Sequence, residues 1–155
     1  MKKLSSAVVI TLALISILLQ TPARAQTSDA STIIDLVGGK FTKIFSTFGT
    51  PADLYTIRGT NAADDYVVVD YPSFGFKVRG KVVHMAIFWK EYTGGVNGIH
   101  IGDNKSDILN KMGNTDDIQK NSDGSVSYFW PTKDYYFGVV FDENDRVTMI
   151  KVETK

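Results

Sequence analysis

The sequence predicts an α+β fold of two tandem units, each a helix followed by antiparallel strands, with the helices packed on one face of the sheet. Three observations lead to this prediction. Two glycine-bounded segments, residues 38–49 and 102–113, have equal length and start 64 residues apart. Each segment places apolar residues at helical spacing. Each is followed by runs rich in β-branched and aromatic residues, which favour strands. We therefore predict a repeat of about 64 residues.

The first 25 residues have the pattern of a secretory signal peptide. Lys2 and Lys3 form a basic start, residues 7–19 are mostly apolar, and residues 23–25 fit the small-x-small rule for cleavage. An uncleaved anchor is the alternative, but the apolar run is shorter than the roughly 20 residues of a membrane span. We expect residues 1–25 to be removed, residues 26–95 to form the first unit and residues 96–155 the second.

Composition narrows the class of protein. Without Lys2, Lys3 and Arg24, 14 basic side chains remain against 17 acidic ones, a net charge of −3. This balance argues against nucleic-acid binding and against attachment to anionic lipid. The chain has no cysteine, which excludes disulfides and a lipidated N-terminus. We therefore expect a soluble exported protein, periplasmic or extracellular, that is not a lipoprotein and has no stable membrane insertion after cleavage.

In the first unit, the apolar residues of 41–48 recur at i, i+3, i+4 and i+7, which predicts a helix with one apolar face. Gly49 suits the position after the helix, and Pro51 prevents its continuation. Residues 32–37, ahead of the helix, fit a short strand or an irregular segment.

Strands are predicted over residues 54–58, 66–71, 74–79 and 82–89. Gly80 and Lys81 form a hairpin turn between the last two strands. The last strand is apolar on both faces, which predicts a central position in its sheet.

The second unit follows a junction over residues 90–98, where periodicity is lost. Asp103 or Asn104 can cap its helix, and Ile108, Leu109 and Met112 form the apolar face. Strands are predicted over residues 125–130, 135–141 and 146–152, separated by polar turns.

A helix between two glycines that have ten residues between them, followed by antiparallel strands, resembles the unit shared by BamE/SmpA outer-membrane assembly proteins and β-lactamase inhibitor proteins. Residues 38–51 keep the glycines, the helix and the proline, whereas Thr115 stands where the second proline would be. Two such units in tandem look more like the inhibitor (BLIP-like) arrangement. The resemblance implies non-enzymatic protein binding. The chain departs from both families, because it has no cysteine to lipidate or to form disulfides.

No residue pattern identifies a reaction, a cofactor or a metal site. His84 and His100 occupy different places in the two units, and neither has the spacing of a metal ligand. Residues 121–125 and 142–145 are rich in oxygen-bearing side chains but lack the calcium-loop pattern, so ordinary turn chemistry explains them. The pair Asp64 and Asp65 lies in a polar loop. We predict no catalytic residues, no metal and no cofactor, and that the chain is not an enzyme.

The sheet is the remaining candidate for function. Tyr and Trp are common anchors of protein interfaces, and several lie on or beside predicted strands. The leading hypothesis is an exported protein-binding module, inhibitor-like or an envelope-assembly accessory, whose partner is a protein. For the aromatic residues, the alternative is that they are half-buried at the rim of the core. For the protein, the alternatives are a carrier or sensor of a small hydrophobic ligand between helices and sheet, and, last, an enzyme. The candidate partner-binding residues are Tyr55, Tyr71, Trp89, Tyr128, Trp130 and Tyr135.

Overall fold

The computed structural model describes residues 28–155, so the predicted signal peptide lies outside the described residues. A short 3-10 turn, Ala62–Asp64, lies between the first two strands. The other elements, in chain order, are α1 (Ala30–Ile34), α2 (Thr42–Phe48), β1 (Asp53–Ile57), β2 (Tyr66–Asp70), β3 (Phe74–Arg79), β4 (Val82–Phe88), α3 (Lys105–Met112), β5 (Ile118–Lys120), β6 (Val126–Pro131), β7 (Tyr135–Phe141) and β8 (Val147–Thr154).

The eight strands of residues 28–155 form one antiparallel sheet in the order β1-β2-β3-β4-β8-β7-β6-β5. The prediction of two helix-plus-sheet units is therefore wrong. Strands β4 and β8 are hydrogen-bonded neighbours, with Met85 opposite Glu153 and Phe88 opposite Ile150. A separate first unit would leave the apolar strand β4 with an unpaired edge, whereas pairing with β8 satisfies its backbone groups. The predicted boundary after Gly95 falls in the connection between β4 and α3.

The hydrophobic core lies between the helices and one face of this sheet. Phe74, Phe76 and Val78 alternate along β3 and are buried, as period-two side chains on an inner face must be. The helices contribute Ile44 of α2 and Ile108 of α3 to the same cluster. Burying one such side chain stabilises the fold by about 1.5–3 kcal/mol, which exceeds what the short helices could supply by propensity.

Helix α2 and its end were predicted from sequence and are confirmed. Gly49 has φ 74°, and its N–H donates to the carbonyl oxygen of Phe45. The segment before it, residues 32–37, was predicted as a short strand or an irregular segment; its first three residues lie instead in α1, and residues 35–37 form turns. The side chain of Asp29 accepts a hydrogen bond from the Ser31 N–H, which satisfies a free donor at the start of α1. Local capping thus outweighs the strand preference of the β-branched residues that follow.

Helix α3 begins after Asn104, as predicted, but the Asn104 side chain makes no capping hydrogen bond. The carboxylate of Asp103 accepts instead from the backbone N–H of His100 at 2.8 Å. The acidic and amide side chains here therefore fold the loop before α3 rather than cap the helix.

Strand β4 begins with a tight hairpin and contains a bulge. Gly80 and Lys81 have φ 54° and 76°, the pair of positive values that a type I′ turn needs. Val78 pairs with Val83 and Lys77 with Met85, which leaves His84 as the extra residue of the bulge. As predicted, β4 is central, between β3 and β8. In the described part of the chain, none of the helices has the length and apolar content needed to cross a bilayer.

Candidate functional site

The face of the sheet opposite the helices is the candidate functional surface, and we name it the open face. Its residues follow from strand alternation and from the pairing registers. Val68, Ile87 and Val140 belong to it, since they are buried but do not join the core under the helices. The open face comprises Asp53, Tyr55, Ile57, Tyr66, Val68, Asp70, Gly75, Lys77, Arg79, Val82, His84, Met85, Ile87, Gln119, Ser127, Phe129, Pro131, Tyr136, Gly138, Val140, Met149, Lys151 and Glu153.

Two of the six aromatic residues predicted to bind a partner lie on this side of the sheet. Tyr55 is on the edge strand β1 and 44% of its surface is exposed. Trp89 directly follows β4, and its ring covers Gly75 on the open face. The indole N–H of Trp89 donates to the carbonyl oxygen of Pro72 at 3.3 Å, which fixes the ring against the sheet.

The other four predicted aromatic residues lie on the helix side. Tyr71 and Trp130 are buried in the core. Tyr128 and Tyr135 are partly buried and pack against the same core. The structure therefore does not bring the six residues together on one surface.

The open face carries a cluster around Tyr66 that the sequence did not reveal, located where β2 begins and β3 ends. The Arg79 guanidinium lies 4.3 Å from the centre of the Tyr66 ring and donates a hydrogen bond to its hydroxyl group. The Lys77 ammonium lies 5.8 Å from the same ring centre. The His84 ring is beside it, at 5.9 Å between centroids. Period-two alternation against Phe74, Phe76 and Val78 was the signal that could have placed Lys77 and Arg79 on this face.

His84 connects the cluster to β8. Its Nε2 lies 3.1 Å from the Glu153 carboxylate, and its Nδ1 lies 2.7 Å from the Thr154 hydroxyl. The bulge turns this side chain toward the last strand, which accounts for its two polar partners. The arrangement places the histidine ring between a carboxylate and a threonine hydroxyl group. In residues 28–155, no group of three or more His, Asp or Glu side chains has a geometry that could hold a metal ion.

Charge is unevenly distributed across the face. Lys77, Arg79 and Lys151 concentrate positive charge at the centre, on β3 and β8. Burial, and then the nearby charge of Lys77, lower the pKa of Lys151, while Glu153 and Asp123 act more weakly in the opposite direction. The Lys151 ammonium lies 5.9 Å from the Phe129 ring centre, so an aromatic face partly replaces its lost hydration.

Acidic groups gather at the β1–β2 side of the same face. Asp53 pairs with Asp70 across the two strands. Burial, and then the charge of Asp53, raise the pKa of Asp70, while the Tyr55 hydroxyl lowers it. Burial and the Asp70 carboxylate raise the pKa of Tyr55 in turn. The open face is therefore acidic at one end and basic in the middle.

Two glycines of the sheet allow aromatic rings to approach the backbone closely on the open face. A Cβ on Gly75 would lie 2.4 Å from Trp89, and one on Gly138 would lie 2.7 Å from Phe129. Glycine in a strand interior often marks such a close approach. The rings cover backbone that would otherwise be exposed.

Two polar atoms of this face lack partners. Asp70 Oδ1 and Arg79 Nε are the buried side-chain atoms in the described residues that have no hydrogen-bond partner. Buried polar atoms in folded proteins are normally paired, so each such atom calls for a physical explanation.

The two oxygen-rich turns singled out in the sequence come together at one end of the sheet. Residues 121–125 and 142–144 line one cleft of about 750 Å³ with Lys151. The oxygens are largely used within the turns, since Asp123 accepts from Ser125 and Asp142 accepts from Asn144 and Arg146. This hydrogen bonding is what ordinary turns produce.

An apolar hollow lies at the opposite end, on the helix side. It has a volume of about 700 Å³ and is lined by Phe45, Leu54 and residues 49–53. The hollow is open to solvent at the sheet edge and is not enclosed between helix and sheet. The hypothesis of a carrier predicts a site enclosed between helices and sheet, and this hollow is not such a site.

No protein family and no curated protein sequence matches the chain. Among solved structures, it is similar to an extracellular SCP-domain protein of Bacillus anthracis (14% identity, TM-score 0.59), with 79% of this chain and 45% of that chain covered. A DUF4309 family protein of Bacillus subtilis matches with 11% identity and TM-score 0.56, over 81% of this chain and 93% of that chain. A cysteine-rich secretory protein of Staphylococcus aureus matches with 18% identity and TM-score 0.53, over 78% and 44%.

These similarities show the fold alone. The chain spans less than half the length of the Bacillus anthracis and Staphylococcus aureus proteins. The resemblance to BamE/SmpA and β-lactamase inhibitor proteins is corrected, because the three matched structures are of other kinds. A short segment of two glycines and a helix is compatible with many sheet topologies, so it does not identify a family.

Proposed function

We propose that the protein is an exported, non-enzymatic module that binds another protein through its open face. The export part rests on the signal-peptide pattern of residues 1–25. It is supported by structural similarity to proteins described as extracellular and as secretory.

The observation that carries the binding proposal is the side-chain composition of the open face, on which the rings of Tyr55 and Tyr136 are exposed. The same face combines Tyr, Trp, Phe, Met and Arg side chains, the composition of protein interfaces.

Electrostatics indicate the kind of partner surface. Lys77, Arg79 and Lys151 face outward with Glu153 as the nearby carboxylate on β8. An acidic patch on the partner would relieve the repulsion between the two lysines, so binding should weaken as salt concentration rises.

The alternative, a carrier of a small hydrophobic ligand, has less support. Ligand sites bury most of their ligand in an enclosed or deep cleft. The hollow beside Phe45 and Leu54 is shallow and lies at the sheet edge. We therefore favour the binding module.

Site-specific photo-crosslinking tests the proposal. A photoreactive phenylalanine analogue is placed singly at Tyr55 and Tyr136, which are exposed on the open face. Matched control positions are Thr47 and Asn110, which are exposed on α2 and α3. Each variant is irradiated in the exported fraction of the producing cells.

The proposal predicts a discrete protein adduct from Tyr55 and Tyr136 that is absent from Thr47 and Asn110. Adducts formed equally at all four positions, or only on the helix side, would contradict binding through the open face. The absence of any adduct, in cells that accumulate the folded protein, would contradict the binding module itself.

A further inference from the structure

Strand β1 is an unprotected edge of the sheet. In the described part of the chain it pairs only with β2, and all five of its residues are exposed. Leu54, Tyr55 and Ile57 are 54%, 44% and 42% exposed. Free edge strands that carry large apolar side chains pair readily with another strand, because their backbone donors and acceptors are already aligned.

The opposite edge shows the protection that β1 lacks. Strand β5 is three residues long and ends in Lys120. Short edge strands that carry lysine resist pairing with another chain. Strand β1 is longer and has no lysine. The difference between the two edges indicates that β1 pairs with a strand from another chain.

We propose that β1 is covered by β1 of a second copy, paired antiparallel about a twofold axis between the two Thr56 residues. This register places Tyr55 of each copy opposite Ile57 of the other. Pairs of an aromatic and a β-branched residue directly across two strands stabilise a sheet by roughly 0.2–1 kcal/mol each. An axis at Tyr55 would instead place the Asp53 carboxylate opposite Ile57.

Charge favours the antiparallel arrangement over a parallel one. Strand β1 has Asp53 at its start and Arg58 immediately after its end. An antiparallel copy sets the acidic end of each strand beside the basic end of the other. Arg58 also pairs with Asp65 in its own chain, and its side chain remains 80% exposed. Its aliphatic part can therefore lie against Leu54 of the second copy.

The pairing has a geometric consequence that goes beyond the proposed function. A twofold axis perpendicular to the sheet keeps the open faces of both copies on the same side. The dimer would therefore present two open faces side by side, without covering Trp89 or the cluster around Tyr66. Strand pairing alone buries less area than the roughly 1,600 Å² of a standard interface, so dimerisation should depend on concentration.

Single-cysteine crosslinking tests the pairing directly, because the chain has no cysteine of its own. In Thr56→Cys the two thiols would meet at the twofold axis, where opposite Cα atoms lie within disulfide range. The matched control is Gln119→Cys, in the middle of the exposed edge strand β5. Both proteins are oxidised mildly at several concentrations, and disulfide dimers are measured by non-reducing electrophoresis.

We expect Thr56→Cys to form disulfide dimers at least tenfold faster than Gln119→Cys. Adding Ile57→Lys to Thr56→Cys should return the rate to that of the control. Sedimentation equilibrium of the unmodified mature protein should show an average mass that rises with concentration toward that of a dimer.

Equal crosslinking rates for the two cysteine variants would overturn the proposal. So would a monomeric mass at all concentrations up to about 1 mM, well above the range of specific association. If the protein is monomeric while Ile57→Lys abolishes a photo-adduct at Tyr136, the edge serves a different protein, and pairing between copies is excluded. Circular dichroism confirms that each variant keeps its sheet.

Discussion

The Tyr71 hydroxyl donates a hydrogen bond of 2.9 Å to the carbonyl oxygen of Gly49, the residue that ends α2. The indole N–H of Trp130 does the same for Gly113, which ends α3, at 3.0 Å. Carbonyl groups at a helix end have no partner within the helix and need one elsewhere. These two rings, predicted to bind a partner, thus connect the ends of α2 and α3 to the sheet.

Tyr71→Phe should lower the free energy of unfolding by about 0.5–1.5 kcal/mol, since it deletes one hydrogen bond and leaves the ring packing intact. Urea denaturation followed by Trp fluorescence measures this difference. Tyr136→Phe is the control, because Tyr136 is exposed on the open face. A loss of equal size in both variants would show that the bond to Gly49 contributes nothing specific.

Gly138→Ala should destabilise the protein by about 1–3 kcal/mol, because the new Cβ would lie 2.7 Å from the Phe129 ring. Much of that cost should disappear in the Phe129→Ala background, where the ring is absent. A double-mutant cycle from urea denaturation gives the coupling energy of the two changes. Strictly additive effects would mean that the ring does not restrict position 138.

Lys151→Met should stabilise the protein at pH 7, because burial and Lys77 disfavour the charged form of Lys151. The folded-state pKa lies below the usual 10.5. The wild type therefore gains stability as pH rises through the interval between the two values, since only the unfolded chain still binds the proton. The advantage of Lys151→Met should shrink over that interval.

The measurement for Lys151 is the difference in unfolding free energy between variant and wild type from pH 7 to pH 11. The exposed residue Lys133 supplies the control variant Lys133→Met. A difference that stays constant with pH would show that the ammonium group of Lys151 is fully solvated.

Asp70→Asn should also stabilise the protein at neutral pH, because the surroundings of Asp70 disfavour its negatively charged form. Burial and Asp53 raise the folded-state pKa of Asp70 above its usual 3.8. Below pH 3.8 the carboxyl is protonated in both states, and the wild type loses stability as pH rises from there through the folded-state pKa. Unfolding at pH 3 and pH 7 should show the gain only at pH 7. A gain at both pH values would show that packing, and not the charge of Asp70, causes it. The control variant is Asp134→Asn, because Asp134 is exposed.

Most of the strands and two of the helices were predictable, because the residues within each of them carry the pattern that predicts it. The predicted bounds of β3 and β7 agree with the structure, because both are framed by turn residues and have continuous strand-forming sequences. Strand β5 was missed since its three residues are all exposed and show no alternation. It exists because β6 offers it backbone partners, which no pattern within residues 118–120 records.

The surface was less predictable than the elements. Whether a ring at a strand end faces the helices or the open side depends on the strand to which it is paired. Trp130 lies opposite Phe137 of the core, whereas the ring of Trp89 lies over Gly75. The pairing of β4 with β8 joins segments on the order of 60 residues apart, and only the folded chain reveals it.

The late arrival of β8 between β4 and β7 has a consequence for how the protein is made. The middle of the sheet is completed by β8, which follows the seven other described strands in the chain. Until β8 has been made, β4 is paired only with β3, and the earlier strands have only part of their core. Chains whose contacts are long-range fold slowly. The topology thus delays completion of the sheet until β8 has been made.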